Sequence, residues 1–136
     1  MYTYELVATK VEFSALKGNH VHVIIVTTMD KPTTEEIESF SETAYQFTRA
    51  NLSAMVQSAV QGGPVRRQLN LYVVPVTVSN NLSDDLKNWI NNSIPAKHTM
   101  PFNYPILMSS STDQFFACKK TPFVGAMGWR GLIKFV

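Results

Sequence analysis

The sequence predicts an α/β fold: a single α/β domain over residues 1–136, built on a mixed sheet in the order β-β-α-β-α-β-β-α. Three observations predict it. The run Val23-Ile24-Ile25-Val26 leaves no polar face, as a central strand covered on both sides requires. Pro32-Thr33-Thr34-Glu35-Glu36 opens the clearest helix of the chain, with Thr33 at the N-cap and Glu36 three residues on as a capping box. A further strand, residues 69–78, follows that helix, and a strand–helix–strand unit of this length joins strands that run parallel.

The elements follow in order. Residues 2–13 are rich in β-branched and aromatic side chains and read as a strand, closed by the turn signal Lys17-Gly18-Asn19. Residues 20–28 form the apolar strand. The long helix then carries Ile37, Phe40, Ala44, Phe47, Leu52, Met55, Val56 and Ala59 on one drifting stripe of about seven turns, a break near residues 51–53 being the alternative. Gly62-Gly63-Pro64 stops it. In residues 69–78, Pro75 removes one ladder donor, so this strand is expected to leave the sheet or lie at an edge by that point. Ser83-Asp84-Asp85 caps a second helix with Leu86, Trp89 and Ile90 on one stripe, bounded by Pro95. Residues 96–103 read as a loop. Strands over residues 104–109 and 114–119 follow, joined by a polar turn, and Trp129, Leu132, Ile133 and Val136 suggest a short closing helix. Val23, Ile25, Val73 and Leu107 are the expected sheet core.

Composition limits the function. With 45% hydrophobic and 11% aromatic residues in a chain of 136, a core forms without disulfides or a structural metal, and disorder is excluded. No apolar run approaches the roughly 18 residues that span a bilayer. Met1-Tyr2-Thr3-Tyr4-Glu5 has no basic region and no apolar signal core, and the lone Cys118 suits a reducing compartment, so a cytoplasmic location without membrane attachment is expected.

A helix–strand–helix–strand–strand–helix order with a proline opening the penultimate strand, here Tyr104-Pro105-Ile106-Leu107, resembles the thioredoxin-like fold over residues 20–136. The resemblance implies a cis Pro105 facing the site, and a reactive Cys-x-x-Cys at the start of the first long helix. The matching stretch, Thr28-Met29-Asp30-Lys31-Pro32-Thr33, holds no cysteine. Dithiol exchange needs a resolving thiol beside the attacking thiolate, so only the use of the fold as a binding surface survives. On that basis Asp30, Pro105, Lys119, Lys120 and Pro122 are the candidate binding residues, gathered at one end of the sheet.

Other chemistry has a plainer explanation in each case. Cys118 alternates with Phe116 and reads as a small core residue, although Lys119 and Lys120 beside it would favour a thiolate. His20 and His22 share one strand face and, with His98, offer three nitrogens. No carboxylate or cysteine stands at a telling metal-ligand spacing, so no metal is assigned. Glu35 with Glu36, and Asp84 with Asp85, are explained by helix capping, and Ser109-Ser110-Ser111-Thr112-Asp113 by a hairpin turn. Gly62-Gly63-Pro64 follows a helix and precedes a strand, the reverse of a phosphate-binding loop, and Gly125-Ala126-Met127-Gly128 lacks the Lys-Ser/Thr ending, so no cofactor is assigned.

Charge is uneven. Residues 30–49 carry five acids and two bases, whereas residues 114–136 carry four bases (Lys119, Lys120, Arg130 and Lys134) and no acid. That basic end, with Phe115, Phe116, Phe123 and Trp129 and the separate pair Arg66-Arg67, could stack single-stranded bases, but a net charge of +2 is far from a dedicated nucleic-acid footprint. The asymmetry suits self-association better. The functional expectation is therefore a small non-catalytic module that binds a protein partner or itself. Its alternatives are an enzyme using His20, His22 or Cys118, and a weak single-strand binder.

Overall fold

Among the described residues six strands form one sheet, and the two helices that link its parallel strands lie on the same face. The structure, a computed structural model, describes residues 3–14, 18–59, 69–92, 101–103 and 105–117. Within them run β1 (Leu6–Ser14), β2 (Gly18–Thr28), α1 (Thr34–Ala59), β3 (Leu69–Ser79), α2 (Asp84–Asn92), β4 (Pro101–Asn103), β5 (Ile106–Ser109) and β6 (Phe115–Ala117). The sheet order is β1-β2-β3-β5-β6, with β4 pairing β3 beside β5. β2, β3, β4 and β5 run parallel, and β1 and β6 close the two edges antiparallel. The mixed α/β class and the parallel middle strands agree with expectation. The suggested closing helix lies outside the described residues.

The N-terminal stretch is tied down before β1 begins. Glu5 N–H donates to Val26 O at 2.8 Å, Thr27 Oγ1 donates to Thr3 O at 2.8 Å, and the Tyr4 ring packs edge-on to Phe47 at 4.9 Å. Thr33 caps α1 as its sequence predicts: Glu36 N–H donates to Thr33 Oγ1 at 3.2 Å, and that hydroxyl donates to Glu36 Oε1 at 3.3 Å. The Glu35 carboxyl is held below its ordinary range, first by its own backbone N–H and then by the Thr34 hydroxyl. Ser83 caps α2 in the same manner, receiving Leu86 N–H at 3.1 Å.

α1 runs 26 residues, about seven turns as its stripe suggests, without a break near residues 51–53. Its buried face includes Ser41 and Thr48 as well as Ile37, Phe40, Ala44 and Tyr45. The two hydroxyls are buried without penalty because each donates to the carbonyl four residues back, Ser41 to Ile37 O and Thr48 to Ala44 O, both at 2.8 Å. Phe40, Ala44 and Tyr45 pack on Val21, Val23, Ile25, Leu71 and Val73. Ile37 joins Leu86 and Ile90 of α2 over Leu107. Lys87 of α2 reaches over the Phe116 ring, 5.1 Å from its centroid. Val23, Ile25, Val73 and Leu107 are all fully buried, as expected.

The opposite face of the sheet has its own apolar cluster, Tyr72, Val74, Val76 and Ile106, flanked by Ile24, Val26, Val78, Met108 and Ala117. Among the described residues this cluster draws on strands alone.

Two expectations are corrected here. Residues 101–103 belong to β4, where a loop was expected, because their backbone finds free ladder positions beside Leu71, Tyr72 and Val73. Pro75 lies inside the central strand, not at an edge: β3 keeps its register with β2 from Leu69 to Val78, with Ile25 opposite Pro75. On the other flank Asn103 stands opposite Val73 and Ile106 opposite Val76, the same register, which sets Pro105 level with Pro75, and neither proline brings an N–H to that level.

Candidate functional site

The parallel strands β2, β3 and β5 end side by side, and both helices start from that end. In open α/β sheets this carboxyl end is where ligands commonly bind. Asp30 lies there, in the exposed loop between β2 and α1. Its neighbours come from the next loop. The buried Ser79 donates from Oγ to Asp30 O at 2.9 Å and accepts Asn81 N–H at 3.0 Å. Asn81 Nδ2 donates to Asp30 Oδ1 at 3.3 Å and to Asn80 Oδ1 at 3.0 Å. Ser110 N–H donates to Ser79 O at 3.0 Å, and Ser109 Oγ lies 3.1 Å from Ser111 Oγ. These bonds fix the two βα loops against each other. Because the Ser79 proton is directed at a carbonyl oxygen, the group braces the loops and is not poised as a nucleophile.

Pro105 is not brought to Asp30. It precedes Ile106, which lies opposite Val76, whereas Asp30 follows Thr28 and Met29 beyond Val78. The two stand level with positions 75 and 80 of β3, a separation of about 16 Å at roughly 3.3 Å per residue. β5 runs parallel to β3, so its opening proline faces away from the loops that follow the strands. Lys119, Lys120, Pro122, Cys118 and His98 lie outside the described residues, as do Arg66, Arg67 and the Tyr104-Pro105 bond.

His22 is buried, its ring stacked on Tyr72 at 5.1 Å with 21° between planes. By backbone register His20 and His22 share one face, opposite Glu12 and Lys10 of β1. Among the described residues no three His, Cys, Asp or Glu side chains are grouped as a metal site. Burial raises the phenol of Tyr72, and also that of Tyr4, above the ordinary 10.0. The folded state therefore favours the neutral phenols. Their contribution is fully present below pH 10 and is lost as pH rises through the folded values. In a spectrophotometric titration at least two phenols of the folded protein should ionise later than those of the unfolded chain. Superimposable curves would show that neither ring is shielded.

The other distinctive surface is the outer edge of β1, a feature that motif reading passed over. β1 pairs only with β2, and no described residue pairs with its other edge. Over nine residues it has no proline or glycine, and Leu6 and Val7 are 53% and 39% exposed, on opposite faces of the strand. At the other side of the sheet β6 covers three described residues. The sequence signal for an edge was the charged pair Lys10 and Glu12 in an otherwise apolar strand, the kind of charge that edge strands carry.

Comparison with known proteins returns no match: no family model matches the chain, and neither does any curated protein or solved structure. No described helix is long and apolar enough to cross a membrane.

Proposed function

We propose that this chain is a non-catalytic α/β module that works by binding protein, a partner or a second copy of itself, along the outer edge of β1. The observation that supports it most is that edge: a nine-residue strand that, among the described residues, pairs on one side with β2, and that has two exposed aliphatic side chains at its start. An extended segment added there gains a ladder of hydrogen bonds together with apolar contacts from alternate residues. The loops at Asp30 fit a bracing role, since Ser79 and Asn81 bind Asp30 and hold the ends of β2 and β3 together. A thioredoxin-like arrangement used as a scaffold belongs to the same proposal, supported by the parallel β2–β3 pair and the helices that follow β2 and β3. A cytoplasmic location also belongs to it, supported by the lone cysteine.

Sedimentation across a wide concentration range, together with titration of a synthetic peptide of residues 4–14, tests this reading. The expected result is a mass that rises with concentration, or saturable peptide binding, either being lost in Leu6→Lys/Val7→Lys. A protein that stays monomeric and ignores the peptide would overturn it.

A further inference from the structure

We draw no further inference here: the strongest candidate, the apolar sheet face of Tyr72, Val74, Val76 and Ile106 opposite the two helices, carries none, because nothing among the described residues shows what covers it.

Discussion

Replacing Phe40 with alanine is expected to lower the unfolding free energy by about 3–5 kcal/mol, the largest effect of any single truncation considered for this chain. Phe40 is fully buried, sits where α1 crosses the sheet, and packs in one cluster with Val21, Val23, Ile25, Leu71 and Val73. The Tyr4 ring lies 6.3 Å from it, so the substitution also removes a neighbour of the segment that leads into β1. The cost combines lost burial with the cavity that a rigid sheet on one side and a long helix on the other cannot close. Urea unfolding should show a lower midpoint with an unchanged slope. Phe115→Ala is the matched control, since that ring is half exposed, and it should change stability by less than about 1 kcal/mol. Similar losses for the two would place Phe40 outside the core.

Ile25→Ala should cost about 2–5 kcal/mol. Ile25 is fully buried in β2, held between Val7 of β1 and Pro75 of β3 by register, and shares the Phe40 cluster. Because the two side chains meet in one cluster, the double variant should lose less than the sum of the two single losses, the second truncation enlarging a cavity already made. Leu6→Ala, at an exposed position of the neighbouring strand, should be close to neutral for unfolding while weakening any association along the edge. A loss below about half a kcal/mol for Ile25→Ala would put β2 at the surface and contradict the sheet order.

These two experiments probe what was legible in the residues themselves. Four unbroken aliphatic residues in β2, a capped helix after it and a second apolar strand beyond were enough to predict the parallel β2–β3 pair and the burial of Ile25 and Val73, because covered strands and amphipathic helices leave periodic signatures. The caps at Thr33 and Ser83 were equally readable, since their bonds span only three residues. The buried Ser41 and Thr48 were less so. Their polarity argues against the core until the carbonyl four residues back is counted as the partner.

Long-range placement was not readable in the same way. Pro75 argued for an edge, and only the assembled sheet sets it inside a central strand, with β2 on one side and β4 and β5 on the other. Residues 101–103 carry no periodic pattern of their own and pair where β3 offers a ladder. The distance between Asp30 and Pro105 depends on strand direction: with β5 parallel to β3, a proline at its start lies at the other end of the strand from loops that follow β2 and β3. The position of β1 at the end of the described sheet is likewise a property of sheet order and not of β1 alone. By itself, then, the sequence determined the fold class, the main helices and strands and the centre of the core, all governed by local propensity and hydrophobic period. The tertiary structure decided which strand lies at the middle, which strands flank it and which polar groups meet, because those depend on pairings between residues far apart in the chain.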